Sequence, residues 1–110
     1  MESLKKAKIT RIRQGRVPDE KADEYEKYLY EEGIGKIAEI EGNLGVQVMR
    51  HSKDGATEFI TISYWANRDD IEKYAGEDIE KPHHLPKDQD YLSELPEFVK
   101  NCDLKINDWR

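Results

Sequence analysis

From Leu44 to Trp65 the chain reads LGVQVMRHSKDGATEFITISYW, and the fold turns on this stretch. Leu44, Val46 and Val48 alternate with Gly45, Gln47 and Met49, which is the period-two signature of a half-buried strand over Leu44–His51. Ser52-Lys53-Asp54-Gly55 then supplies an Asp-Gly pair, the strongest short-range hairpin signal. In the returning arm, Thr57–Trp65, Phe59 and Trp65 lie on one face and Ile60, Ile62 and Tyr64 on the other. Both faces are apolar, so this arm is expected in the middle of a sheet.

Upstream, Ala7–Val17 reads as a strand carrying Ile9 and Ile12, stopped by Pro18. Proline suits a first helical turn, and Asp19 and Glu20 complement the helix dipole, so a helix starts here. Ala22, Tyr25, Leu29 and Gly33, with Tyr28 alongside, form one apolar stripe. Gly33-Ile34-Gly35 is expected to end or break the helix, with a short helical piece around Ile37 and Ile40. Downstream, Asn67 is an N-cap, Ile71, Tyr74 and Ala75 keep helical spacing, and Gly76 ends the run. Glu77–Asp90, with Pro82 and Pro86, is expected to be a long irregular loop, and Phe98–Ile106 a fourth strand. The string βαββαβ is that of a ferredoxin-like α+β domain, an antiparallel four-stranded sheet with two helices on one face. It leaves the other face bare, so a homodimer is expected. One domain spanning residues 1–110 accounts for the length, with residues 1–6 as a flexible lead.

The chain has 110 residues, 38% of them charged, and a net charge of −6. That balance repels phosphate, and no basic stripe is interleaved with aromatic residues, so nucleic acid is not an expected partner. Arg11, Arg13 and Arg16 form the one compact basic cluster, read more plainly as solvated or ion-paired strand positions, with Arg13 retained as a candidate substrate-binding residue. No apolar run approaches the roughly 20 residues of a membrane span, and the first residues lack a signal-peptide core, so a cytoplasmic chain without a membrane partner is expected. Cys102, the single cysteine, can form no internal disulfide, and beside Asp103 it is a poor thiolate.

Several stretches together resemble the antibiotic biosynthesis monooxygenase (ABM) domain family. They are Ile9-Thr10-Arg11, Gly15-Arg16-Val17-Pro18, Tyr25, Tyr28-Leu29, Gly42-Asn43-Leu44-Gly45-Val46, Glu58-Phe59, Ser63-Tyr64-Trp65 and Ala75-Gly76-Glu77-Asp78-Ile79. The resemblance implies a dimeric α+β barrel with a pocket between each sheet and its own helices. Members include cofactor-free oxygenases that convert polycyclic phenols to quinones, haem-degrading monooxygenases, and proteins of no established reaction. Haem degraders carry an Asn on the first strand, a Trp ending the third and a His about ten residues beyond it. Trp65 matches the Trp, but the first strand has Thr10, Arg11, Ile12 and Arg13, and the His position falls at Tyr74 and Ala75. Haem is therefore expected to bind weakly or not at all in that mode, and no cofactor is expected.

The candidate site residues follow from side-chain chemistry. Trp65 can stack on a flat aromatic molecule or fill the core, and Tyr74 can donate to a substrate oxygen or pack. His83 and His84 are candidate catalytic bases, because an imidazole titrating near neutrality suits removal of a phenolic proton. A solvated polar loop is the plainer explanation of the pair, and Glu80-x-x-His83 with Asp78 specifies no third metal ligand, so no metal site is assigned. The function expected is a small-molecule monooxygenase acting on an aromatic or phenolic substrate. The alternatives are a non-catalytic dimeric ligand-binding or stress-related domain and a haem-degrading monooxygenase.

Overall fold

The computed structural model describes residues 2–76, 78, 79, 91 and 99–108. One helical turn, α1 (Glu2–Lys5), leads into β1 (Ile9–Pro18). A tight turn of 3₁₀ helix, Asp19–Lys21, then opens α2 (Ala22–Tyr28), which continues through a wider π-type turn, Leu29–Ile34, into α3 (Gly35–Ala38). The hairpin follows as β2 (Asn43–Lys53) and β3 (Ala56–Trp65), then α4 (Arg68–Ala75) and β4 (Lys100–Asp103). The strands form one antiparallel sheet in the order β2-β3-β1-β4, with β3 inside it as its apolar pattern requires.

Local chemistry sets the joints. The hairpin turns on Asp54 and Gly55, both at positive φ (55° and 82°), the left-handed pair an Asp-Gly turn provides. The Asn67 side chain accepts from the Asp70 N–H at 3.0 Å and caps α4, which Gly76 ends at φ 87°. At Gly42 (φ 94°) a Cβ would overlap the Asp70 carboxylate, so only glycine lets the chain pass α4 into β2.

One expectation holds in part and one is corrected. The α-helix breaks before Gly35 and a short piece, Gly35–Ala38, follows as expected, but the chain does not leave the helical path: Leu29–Ile34 forms a π-type turn, because Leu29, Gly33 and Ile37 are all buried against the sheet. That burial outweighs a glycine cost of about 1 kcal/mol per residue. The fourth strand is four residues long rather than nine, because beyond Asp103 the Leu104 N–H turns to the Lys8 carbonyl and Ile106 is 86% exposed.

The register separates two faces. Ile9, Arg11, Arg13, Gly15 and Val17 of β1 lie opposite Trp65, Ser63, Thr61, Phe59 and Thr57 of β3. This face is covered by the helices, and burial along β3 alternates accordingly. The other face of the sheet carries Ile12, Ile60, Ile62 and Tyr64, all half-buried, with Met49 exposed. In the single chain that second face of β3 is thus only partly covered. Leu4 of α1 sits over Gly45 at one end of it.

Candidate functional site

The covered face holds two separate apolar clusters. Val17, Ala22, Tyr25, Leu29 and Phe59 pack at one end, with Tyr28 and Tyr91 against them. Ile9, Ile37, Trp65, Ile71 and Ile79 pack at the other, with Tyr74 and Val46 alongside. Between them the sheet presents Arg11, Arg13, Thr61 and Ser63, four polar side chains in adjacent register. Helix-covered sheet is ordinarily apolar, so a polar band dividing the core marks the candidate cleft floor.

Arg11 is only 4% exposed. Its Nη1 donates to the Ile79 carbonyl and, at 3.2 Å, to Asn101 Oδ1, while Asn101 Nδ2 donates to the same Ile79 carbonyl at 2.8 Å. The guanidinium thus clasps the chain after α4 to β4. Burial pushes its pKa down to about 10, with Tyr74 acting in the opposite sense and the like charge of Arg13 adding to the fall. Arg13, half-buried, donates from Nη1 to the Tyr25 hydroxyl at 3.4 Å, where the polar band meets the aromatic cluster. In that cluster Tyr25 lies edge-on to Phe59 at 5.1 Å, and Tyr28 stacks with Tyr91 at 5.5 Å.

Trp65 lies wholly inside, at 0% exposure, and its Nε1–H is donated to Ser63 Oγ at 2.8 Å. Tyr74 is half-buried on α4 with its ring 6.3 Å from that of Trp65. The structure therefore brings Trp65, Tyr74 and Arg13 to the same covered face, with Trp65 as a packed wall. His83 and His84, with Glu80, Pro82 and Pro86, lie outside the described residues. His51 is exposed on the opposite face, in register with Glu58. Among the described residues the cleft accordingly offers no imidazole, and Tyr74 and Ala75 occupy the helix positions, so the described residues do not fit a haem held by an axial histidine. Among the described residues no group of three His, Cys, Asp or Glu side chains could hold a metal.

Sequence reasoning missed Arg11 and Tyr25 as site residues. Position on a strand suggests a solvated or ion-paired Arg11, and its burial overturns solvation, whereas Arg16 is exposed as expected. The signal was available in the period of two: Arg11 and Arg13 alternate in phase with Ile9 and Val17, whose face must be the covered one.

A four-stranded antiparallel sheet with helices on one face, and a polar band crossing the covered side, defines a ferredoxin-like α+β domain. The family model described as antibiotic biosynthesis monooxygenase matches residues 8–84, and the chain belongs to that family. No curated protein matches it. Among solved structures it is similar to a conserved protein from Methanosarcina mazei Go1, at 13% identity, TM-score 0.65 and coverage of 96% of this chain and 100% of that one. The heme-degrader MhuD from Mycobacterium tuberculosis, with two hemes bound in its active site, is similar at 15% identity and TM-score 0.63, covering 92% and 99%. A monooxygenase of Streptomyces coelicolor in complex with nanaomycin D is similar at 11% identity and TM-score 0.62, covering 96% and 94%. At these identities the likeness is one of fold. No helix among the described residues is long and apolar enough to cross a membrane.

Proposed function

We propose that the protein is a small-molecule monooxygenase that oxidises a flat phenol held between the sheet and its helices. The observation that carries the reading is the Arg13–Tyr25 pair, a guanidinium and a hydroxyl 3.4 Å apart at the junction of the polar band and the aromatic cluster. A phenolic ring against Tyr28 and Tyr91 would place its oxygen at that pair. The guanidinium there favours the phenolate, and phenolate is the electron-rich form that reduces O₂. The overall change balances without another reductant: a phenol and O₂ give a quinone and water, one oxygen atom entering the ring carbon and the other leaving with two hydrogens. The protein's part is to orient and desolvate the substrate and to stabilise its charge on donors already in place. His83 or His84 is proposed to take the phenolic proton, Tyr74 and Trp65 to wall the cleft, and no cofactor is assigned to the step.

The bare sheet face supports a homodimer, with Ile12, Ile60, Ile62, Tyr64 and Met49 covered by a second copy.

The test is aerobic incubation with polycyclic phenols, following oxygen uptake and quinone absorbance together. One O₂ per quinone is expected, with Arg13→Gln lowering kcat/KM by about tenfold to a hundredfold through loss of a charge-assisted hydrogen bond. Wild-type turnover in Arg13→Gln would refute the site. Tight binding of the same phenols with no oxygen uptake would assign a non-catalytic ligand-binding domain instead.

A further inference from the structure

We propose a second small-molecule site, for an organic cation with an apolar body, in the groove between β2 and the wide turn Leu29–Ile34. The groove encloses about 480 Å³, within the range of small-molecule pockets. It exists because the helical layer stops short of the sheet edge. Val48 belongs by register to the covered face, opposite Thr61, yet is 37% exposed. Leu29 and Ile34 line it together with Tyr30, which is 73% exposed. All three come from the π-type turn, a geometry that recurs at functional sites.

Charge decides which apolar ligand fits. Arg50 Nη1 donates to Asp23 Oδ1 at 2.9 Å and Glu26 Oε1 at 3.0 Å, and its guanidinium carbon lies 5.6 Å from the Phe59 ring centroid. These bonds use one oxygen of each carboxylate. The second oxygen of each remains available on side chains 98% and 56% exposed. Within the groove Lys27 and Arg50 balance Asp23 and Glu26, so the sign of the field is set by the surrounding helix. Outside those residues, Asp19 to Ile34 carries five further carboxylates and one lysine. An anionic ligand is repelled there, whereas an ammonium gains the two carboxylate oxygens and the face of the Tyr30 ring. The groove lies on the helix-covered side of the sheet at its β2 edge, which separates it from the bare face, and neither Arg13 nor Tyr25 lines it.

Three probes sharing a phenylethyl body test this: phenethylammonium, 2-phenylethanol and 3-phenylpropionate, titrated into the ¹⁵N-labelled protein at low ionic strength. Amide shifts are expected at Tyr30, Ile34 and Val48. The ammonium is expected to bind about fivefold more tightly than the alcohol, and the carboxylate most weakly, with the preference shrinking at about 0.5 M salt. Tyr30→Ala, at an exposed position, is expected to weaken ammonium binding about threefold. Glu26→Gln should reduce the preference for the ammonium and leave alcohol binding unchanged. The proposal is overturned if no probe shifts those amides, if the carboxylate binds tightest, if the preference is insensitive to salt, or if the shifts map instead to Arg13 and Tyr25.

Discussion

Replacing Trp65 by Phe separates a packed wall from a substrate-stacking surface. The indole is 0% exposed and its Nε1–H is given to Ser63 Oγ at 2.8 Å, a hydroxyl itself only 3% exposed. Phenylalanine cannot make that bond, and a buried hydroxyl losing a donor costs about 1 kcal/mol. The smaller ring leaves a void among Ile9, Ile37, Ile71 and Ile79, worth about another 1 kcal/mol. The sum of about 2 kcal/mol is a large fraction of the roughly 5–15 kcal/mol that holds such a domain together. It corresponds to a fall in Tm of about 8 °C for a chain of this size. Thermal and urea unfolding followed by circular dichroism measure it. Ser63→Ala removes the same bond from the other side, so the double variant should fall short of additivity by about 1 kcal/mol. The reasoning fails if Trp65→Phe unfolds at the wild-type midpoint while losing affinity for flat phenols, since Trp65 would then be serving a ligand rather than the core.

Gly42→Ala is expected to destabilise by about 2–4 kcal/mol, from a positive φ and overlap with the Asp70 carboxylate, and a urea midpoint within about 0.5 kcal/mol of wild type would contradict it. Arg11 has a folded pKa near 10, well below the ordinary guanidinium range, so its burial opposes folding below about pH 10 and that opposition is relieved as pH rises further. The stability difference between wild type and Arg11→Met should therefore move in favour of wild type as pH rises above about 10, and a flat difference there would show that Arg11 is not desolvated. Ile62→Glu on the bare face is expected to lower the mass in sedimentation equilibrium from twice 12.9 kDa to a single chain, and a wild type already at the single mass would remove the dimer.

Sheet order and hairpin were legible because they depend on local signals. Asp54-Gly55 requires a left-handed pair whatever surrounds it, and a strand with Phe59 and Trp65 on one side and Ile60 and Ile62 on the other can only be interior. The continuation of the helix through Gly33 and Gly35 was not legible. Glycine propensity is a local quantity, and what overrides it is the burial of Leu29 and Ile37 against residues distant in sequence. Arg11 was hidden for a similar reason. An arginine on a strand is ordinarily placed in water, and the groups that make its burial tolerable, the Ile79 carbonyl and Asn101, stand 68 and 90 residues away. Trp65 at a strand end suited a pocket mouth and a core equally. Its complete burial among Ile9, Ile37, Ile71 and Ile79, with its N–H given to Ser63, commits it to the interior.

The alternation of a β-strand makes the two proposed uses of the sheet separable. Arg13 and Ile12 are neighbours in sequence but project to opposite faces, Arg13 toward Tyr25 under the helices and Ile12 toward the bare side. A change at Ile62 acts through the bare face and a change at Arg13 through the cleft, so their effects on assembly and on turnover should combine independently if each protomer holds a complete site. If Ile62→Glu produced a single chain that lost turnover while keeping its fold and its affinity for phenols, the second copy would be contributing to the chemistry itself. The polar band argues for the self-contained arrangement. Arg13 finds Tyr25, and Arg11 finds Ile79 and Asn101, all within one chain. The charge-stabilising part of the cleft is thus assembled before any partner arrives.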